Sequence, residues 1–479
     1  MPKQPTEIEL EISRLSDQGL GGGTHNERPV WVRNALPGET VKARILKRRG
    51  GKRFADGQPL SGMHADRVTS PCPYFPRCGG CATHHLSPEA QLRHKQQQLQ
   101  DQLAAQAVEP LAWRQPVALL RLGYRRKARL GVRVVGDQVL VGFRESFSNR
   151  VARLDYCLTL TPELSRLIVP LKTAIGQMSD PRTVPQIELA QGDTGCAVIV
   201  RHLQPLNGDE EVLWQGFEHQ WGVSVLMQSK GYDTLRPVKQ DQDQLPLLGY
   251  QIPEYGISMG FYPHHFTQVN ALMNRELIRT VMGYLGDVRG QVVVDMFCGI
   301  GNFTLPLARA GALAVGIEAS AEAVAMGQHN AVANRLEQVS AFFAADLYGP
   351  GGAMPDADAP GSTSDNPGAP DQAEASSHQQ DSDDASDFPI ESHFRHFGDA
   401  PQALVLDPPR SGAGPNLEGW ARLPSLSRIV YVSCNPQTFA ADAKRLEHCG
   451  YSLNQVGVYD MFPGTAHVET VGLFVRKQA

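Results

Sequence analysis

The chain has 479 residues, of which 41% are hydrophobic and 20% charged, with a formal net charge of −5. These figures exclude collagen-like, wholly disordered and disulfide-scaffold proteins, and the length suits roughly two to four domains. No uncharged apolar run reaches the roughly 18–20 residues a membrane helix needs, and Met1-Pro2-Lys3-Gln4-Pro5 lacks the apolar core of a secretory signal, so the expected location is the cytoplasm.

The charge is unevenly spread. Residues 1–150 hold 24 Lys/Arg against 13 Asp/Glu, a local +11, which leaves −16 for the rest. Nine of those acids fall in 350–387, a Gly/Pro/Ala/Ser/Asp/Gln stretch with no Lys or Arg. It lacks the apolar surface to offset the entropy of ordering, so a disordered acidic insertion is expected; an RNA-mimicking gate is the sharper alternative. The asymmetry is that of a polyanion-binding part with an acidic appendage.

In chain order, Glu7 to Ile12 alternate as a half-buried strand, and Gly21-Gly22-Gly23 reads as a turn. Val30 to Val32 and Val41 to Leu46 follow as short strands, which together predict a small β-barrel. Lys42, Arg44, Lys47, Arg48, Arg49, Lys52 and Arg53 fall on or beside one hairpin, a pattern suited to phosphate. Residues 88–107 have helical composition. Tyr124 to Pro263 reads mainly as strands joined by turns, including Leu130 to Val135, Val139 to Phe143, Ile187 to Ala190 and Ala197 to Arg201. A second basic run, Arg121, Arg125, Arg126, Lys127, Arg129 and Arg133, lies at its start. From Val292 the period changes. Apolar runs at 292–294, 313–317, from 339, at 403–406 and at 429–432 alternate with helices, predicting a largely parallel sheet, and Val468 to Val475 reads as an added strand.

Cys72, Cys78 and Cys81 stand as Cys-x5-Cys-x2-Cys. Three thiols so close in a reduced compartment point to one metal centre. Cys157 is the best fourth ligand, with His84 or His85 as substitutes, and the spacing leaves zinc and an iron–sulfur cluster nearly equal. Cys196 and Cys449 read as packing residues, and nothing near Cys298 suggests activation.

Asp295-Met296-Phe297-Cys298-Gly299-Ile300-Gly301-Asn302 follows a strand and opens a helix. It has Gly-x-Gly but neither the third glycine of a dinucleotide fingerprint nor a phosphate-binding lysine. Glu318 at the next strand end suits two ribose hydroxyls, and Asp346 an adenine edge. S-adenosylmethionine fits this pattern. Asp407-Pro408-Pro409-Arg410 and Ser433-Cys434-Asn435-Pro436 end the fourth and fifth strands, where ligands of open α/β sheets bind. Asp-Pro-Pro-Arg lacks the aromatic that clamps an exocyclic amine. Cys434 opens a helix, a place that favours thiolate. A thiolate adding to carbon 6 of a pyrimidine makes carbon 5 nucleophilic, and a base must then remove the carbon-5 proton. Glu469 is the candidate base and His467 its runner-up.

At these residues the chain resembles the RNA (uracil-5)-methyltransferase family, closest to its bacterial 23S rRNA branch, over nearly all but the acidic insertion. The resemblance implies three domains. They are a TRAM (OB-like) RNA-binding barrel at 1–66, a central β-rich iron–sulfur domain at 67–265, and a Rossmann-like methyltransferase domain at 266–479. Residues 88–120 are implied to pack on the last. It makes Cys72, Cys78, Cys81 and Cys157 ligands of a [4Fe–4S] cluster. It adds Gln268, in Phe266-Thr267-Gln268-Val269-Asn270, to the S-adenosylmethionine positions Phe297, Asn302, Glu318, Asp346 and Asp407. It also makes Cys434 the nucleophile and Glu469 the base. The insertion separates Asp346 from Asp407 by more than the usual connection. The implied activity is 5-methyluridine formation in 23S rRNA, with no membrane and no obligate protein partner. A tRNA uracil-5 methyltransferase and a non-catalytic iron–sulfur RNA-binding protein are the alternatives.

Overall fold

The N-terminal alternation forms β1 (Glu7–Glu11), β2 (Arg14–Leu15), β3 (Gly21–His25), β4 (Arg28–Arg33), β5 (Thr40–Arg49) and β6 (Lys52–Ser61). They make one sheet in the order β1-β5-β6-β4-β3-β2 around Leu10, Ile12, Val30, Val32, Val41, Ala43, Ile45 and Ala55. The triple glycine is not a turn. It begins β3, where the curled sheet brings β1 and β3 together, and a Cβ at Gly23 would lie 2.4 Å from the Glu11 carbonyl oxygen. Only a residue without a side chain allows that approach. The computed structural model describes residues 6–239, 244–349, 393 and 395–477; the acidic segment 350–387 lies outside them.

Helix Pro88–Ala105 is capped by Ser87, whose side chain accepts from the Ala90 amide. It leads to β7 (Ala112–Trp113), then to β8 (Lys127–Val135), β9 (Gln138–Gly142), β10 (Gln186–Gln191), β11 (Cys196–Arg201), β12 (Ser224–Gln228) and β13 (Arg236–Pro237). The last six form a mixed sheet, β13-β12-β11-β10-β8-β9. This region is less purely β than its strand-rich sequence predicts. Helices Pro162–Ser165, Ile168–Gly176 and Gly208–Trp221 cover it, and the last is the crossover that makes β11 and β12 parallel. Its signal is local: Asn207 and Glu210 form a reciprocal capping box, and Trp214 and Phe217 face the core three residues apart.

The hairpin β14 (Leu248–Ile252) and β15 (Ile257–Phe261) precedes helix Ala271–Leu285, then β16 (Val292–Met296), β17 (Leu313–Glu318), β18 (Ser340–Ala344), β19 (Ala403–Leu406), β20 (Arg428–Ser433), β21 (Tyr451–Tyr459) and β22 (Glu469–Arg476). The sheet order is β18-β17-β16-β19-β20-β22-β21-β7. Strands β16 to β20 run parallel, and β22 is antiparallel to both β20 and β21. Strand order reverses at β16, between β17 and β19, so a ligand crevice opens beyond the carboxyl ends of these strands. β7, from ahead of the central sheet, pairs in parallel with β21 at the far edge. Helix Pro88–Ala105 packs on β21 and on helix Pro436–His448. The chain therefore lays an early segment onto its last sheet before building the middle one. No helix among the described residues is long and apolar enough to cross a membrane.

Candidate active site

The turn after β16 carries the glycine loop. Asp295 is fully buried; its Oδ2 accepts from the Thr304 amide at 2.9 Å and the Thr304 hydroxyl at 2.6 Å. Its Oδ1 is buried with no partner among the described residues, and burial pushes its pKa up to about 7. Phe297 holds φ +62°, a conformation that costs a bulky residue energy and so marks a constrained loop. A Cβ placed on Gly299 (φ +53°) would meet nothing within 4 Å, so the loop backbone lies open there. Glu318 ends β17 and accepts from the amides of Gly299 at 3.1 Å and Ser320 at 3.1 Å. Asn302 exchanges hydrogen bonds with Asn274 and accepts from the Tyr250 hydroxyl. Asp346 is exposed after β18 and accepts from the Tyr348 amide. Gln268 is half-buried on the segment joining β15 to helix Ala271–Leu285. Asp407 follows β19, and burial raises its carboxyl to about 7.

Sheet register brings Cys434 and Glu469 together. Ser433 pairs with Thr470 across β20 and β22, so the next residue on one strand, Cys434, and the preceding one on the other, Glu469, share the same end of the sheet. The Ser433 hydroxyl accepts from the Asn435 amide, and Asn435 Oδ1 caps the following helix through the Gln437 amide. Asn435 Nδ2 donates to the Arg410 carbonyl at 2.9 Å, tying this turn to Asp-Pro-Pro-Arg. Burial first, then the charges of Glu469 and Asp407, push the Cys434 thiol up to about 11, while the Arg410 guanidinium pulls it down. The expected thiolate at the helix N-terminus is therefore outweighed by burial in the free protein. Glu469 is 4% exposed. Burial and Asp407 raise its pKa well above the carboxylate range, and Arg410 and Lys95 oppose them. His467 bonds Arg410 Nη2 at 2.9 Å, and burial holds its imidazole neutral by lowering its pKa to about 4.

Cys434, Arg410 and His467 open into a cavity of about 610 Å³ whose walls include Arg125, Phe143, Gly79 to Ala82, the helix residues Gln98, Asp101 and Gln102, and Asp17 and Gln18 from the turn between β2 and β3. In the sequence, Arg125 is legible only as one of a basic run. Arg410 reads there as part of a motif rather than as a group acting on Cys434. Lys95, buried on a polar helix, leaves no signal at all.

Cys72, Cys78, Cys81 and Cys157 line a single hollow with His84, Phe143 and Tyr156. None of the four forms a disulfide. Burial pushes Cys78 up to about 11 and Cys81 higher, and each thiol's neighbours add to the rise. His85 instead stacks on Phe75 with both ring nitrogens unpartnered among the described residues. Cys298 is buried with its thiol raised, in keeping with an inert role.

The family profile described as tRNA (Uracil-5-)-methyltransferase matches residues 238–345 and 399–478, and the TRAM domain profile matches 4–60. The chain is 38% identical over 479 residues to "23S rRNA (uracil(1939)-C(5))-methyltransferase RlmD" of Hahella chejuensis, covering 99% of this chain and 98% of that one. It is 37% identical to the protein of that name from Acidithiobacillus ferrooxidans, again over 99% and 98%. Among solved structures, the Pyrococcus abyssi tRNA (uracil-54, C5)-methyltransferase in complex with S-adenosyl-L-homocysteine shares the fold, with a TM-score of 0.68 at 21% identity over 98% of this chain and 100% of that chain. With a TRAM domain at its head, a methyltransferase fold at its tail and relatives of this similarity along its whole length, the chain belongs to the RlmD members of the RNA (uracil-5)-methyltransferase family.

Proposed function

We propose that this protein methylates carbon 5 of one uridine in 23S rRNA in the cytoplasm, with S-adenosylmethionine as donor. The observation that carries the reading is the register of β20 against β22, which brings Cys434 and Glu469 to one end of the sheet beside a cavity bordered by Arg125 and Arg410. The reading divides the chain into an RNA-binding barrel (1–66), a central domain (67–265) and a catalytic domain (266–479).

S-adenosylmethionine, when bound, supplies an electrophilic methyl group. Gln268, Phe297, Asn302, Glu318, Asp346 and Asp407 are assigned to hold it. The open backbone at Gly299 and the unpartnered Oδ1 of Asp295 leave a cradle that fits such a ligand. The target base leaves its stack to reach the cavity. Cys434 gives up its proton to solvent in the cavity, helped by Arg410, and its sulfur bonds carbon 6, so the electron pair of the 5,6 double bond moves towards the O4 carbonyl. Carbon 5 then takes the methyl group while retaining its hydrogen; the methyl–sulfur bond of the donor breaks, and a neutral thioether is the leaving group. Glu469 as carboxylate removes that hydrogen as a proton, the double bond re-forms and Cys434 leaves as thiolate. Burial of Glu469 makes it a stronger proton acceptor once ionised.

The four cysteines are assigned to a [4Fe–4S] cluster. Among the described residues, no three of these sulfurs lie within 4.8 Å of one another; the group that meets that limit is His264, His265 and Glu322. Burial raises the thiols of Cys78 and Cys81, so holding these two as thiolates would call for a compensating cationic centre. The iron of a cluster held by Cys72, Cys78, Cys81 and Cys157 would supply that charge; methyl transfer itself moves no net electrons.

The test is an rRNA fragment with 5-fluorouridine at the target. Fluorine cannot leave as a proton, so a methylated covalent adduct should survive denaturation. Absence of an adduct, or an undiminished one in Cys434→Ala, would overturn the mechanism. Loss of 5-methyluridine from tRNA instead of 23S rRNA in a deletion strain would overturn the substrate.

A further inference from the structure

A second hollow, of about 750 Å³, lies on the other side of the cysteine loop from the one that holds Cys434. Nothing in the proposed mechanism uses it. Its walls come from the loop Pro73 to Cys78, from β8 and β9, and from the segment 149–153 that returns beside them. Tyr74, Phe75 and Cys78 line both this hollow and the cysteine hollow, whereas Gly80, Cys81 and Phe143 line the cysteine hollow and the cavity of Cys434. The cysteine loop is thus a saddle: its first half faces one cavity and its second half the other.

The saddle is held rigidly. The Gly79 amide donates to the Arg144 carbonyl at 2.8 Å and the Cys78 amide to the Tyr74 carbonyl at 2.8 Å. A Cβ at Gly79 would lie 2.6 Å from that same Arg144 oxygen, so the close approach requires glycine. The Tyr74 hydroxyl accepts from the Asp155 amide at 3.0 Å, and its ring meets Tyr156 edge-on at 5.4 Å, which fixes its position.

The chemistry of the far hollow is one-sided. Arg77, Arg133, Arg150 and Arg153 surround it, and its single lining carboxylate, Glu145, pairs with Arg77 at 2.6 Å. Three guanidiniums therefore remain in excess, above a floor that includes Leu140 and beside the Tyr74 ring. Solvated surface arginines need no floor, and a small anion needs no aromatic. Planar guanidiniums that reach phosphate in pairs, together with an aromatic and an apolar base, suit an unpaired nucleotide.

We propose that this hollow is a second RNA subsite, which takes a single-stranded nucleotide flanking the target on the same strand. This rests on the proposed rRNA methylation and adds to it: the strand crosses the saddle, with the target uridine on the Cys434 side and its neighbour on the arginine side. The cysteine centre then serves to set the height and rigidity of the saddle between two nucleotides. Engagement of both hollows also supplies selection, since an RNA whose flanking bases are paired cannot fill the second while its target fills the first.

The experiment uses the full-length protein and two RNAs, one a minimal stem-loop bearing the target, the other extended by unpaired flanking nucleotides. Filter binding gives the dissociation constant, and 5-fluorouridine versions of both give the rate of adduct formation at saturating RNA. In the triple variant Arg133→Gln, Arg150→Gln, Arg153→Gln, the long RNA should bind at least about tenfold more weakly, about 1.4 kcal/mol. The short RNA should change little, and the saturated adduct rate should match that of the unaltered protein. Equal weakening for both RNAs, unchanged binding of the long RNA, or a reduced adduct rate at saturation would each overturn the subsite. Failure of the unaltered protein to form any adduct would count against the methylation mechanism instead, while the difference between long and short RNA would still report on the subsite.

Discussion

Lys95 Nζ lies 2.6 Å from Asp460 Oδ1, with the two side chains 1% and 6% exposed. The lysine comes from helix Pro88–Ala105 and the aspartate follows β21, so the pair fastens the early helix to the end of the catalytic sheet. Lys95 also donates to the Phe462 carbonyl at 3.1 Å, and its charge opposes the rise in the pKa of Glu469. Removing one partner strands a buried charge. Lys95→Met should cost about 3–5 kcal/mol of stability in guanidinium denaturation. The double variant Lys95→Met, Asp460→Leu should recover most of that loss, because neither charge is then left unpaired. A Lys95→Met protein as stable as the unaltered one would contradict this account.

Arg410 lowers the pKa of both Cys434 and Glu469. In the proposed mechanism both must lose a proton to act, so activity should rise with pH across the neutral range. In Arg410→Gln the opposition to burial is gone, both values move up, and the rising limb of kcat/KM should move to higher pH. Each unit of displacement lowers the active fraction on that limb about tenfold. A profile of unchanged position, merely scaled down, would assign Arg410 to substrate binding alone.

The legible parts of this site are those fixed by short-range pattern. The run Val292-Val293-Val294 is buried on both faces, and its strand ends at the glycine loop as its composition requires. Cys434 and Glu469 are visible as residue types at strand ends, but their adjacency is a matter of register between residues 35 positions apart in the chain. The helix N-terminus that favours a thiolate at Cys434 is a local feature, whereas the burial that raises the thiol comes from elements far away in sequence. Lys95 sits among Gln96, Gln97 and Gln98 on a helix of polar composition, where nothing local marks it as buried. The same limit applies to β7, two residues whose partner strand begins more than 300 positions later.

Two buried carboxyls make stability depend on pH. Asp295 and Asp407 are each raised by burial to about 7, against 3.8 for an ordinary aspartate. Between those values the folded protein holds protons that the unfolded chain has released, so stability is highest below about pH 4 on this account and falls as pH rises towards 7. Asp295→Asn removes one of the two contributions. The slope of unfolding free energy against pH over this window should be shallower in that variant, measured without ligand. An identical slope would mean that Asp295 is ionised in the folded protein.

The assigned cluster can be removed one ligand at a time. Cys78→Ser should lose iron and the visible charge-transfer absorption of an iron–sulfur centre, since a thiolate and its electrons are gone. Because Gly79 to Cys81 form a wall of the cavity that holds Cys434, RNA affinity should fall by about tenfold or more, about 1.4 kcal/mol. Binding of S-adenosylmethionine, across the sheet end at Glu318, should be unchanged. Full iron retention in this variant would remove Cys78 from the ligand set, and zinc in place of iron in the unaltered protein would reverse the choice of metal.

The basic hairpin can be tested in two parts. Lys42 pairs with Glu7 at 2.8 Å and Arg44 with Asp56 at 3.3 Å, so these two are answered within the barrel. Arg48, Lys52 and Arg53 surround the tip with Arg28, Arg49 and the two glycines. If phosphate binding is the use of the tip, salt dependence reports it directly, because each contact to single-stranded RNA releases counterions and contributes about 0.7 to the slope of log affinity against log salt. Replacing Arg48, Lys52 and Arg53 with Gln should lower that slope by up to about 2 and weaken binding most at low salt. Replacing Lys42 and Arg44 should change it far less. Deleting 350–387 removes no cation, so the slope should persist even though the net charge of the protein rises by nine. A slope that follows net charge rather than the hairpin tip would mean that RNA is held by the overall field of the protein and not by this hairpin.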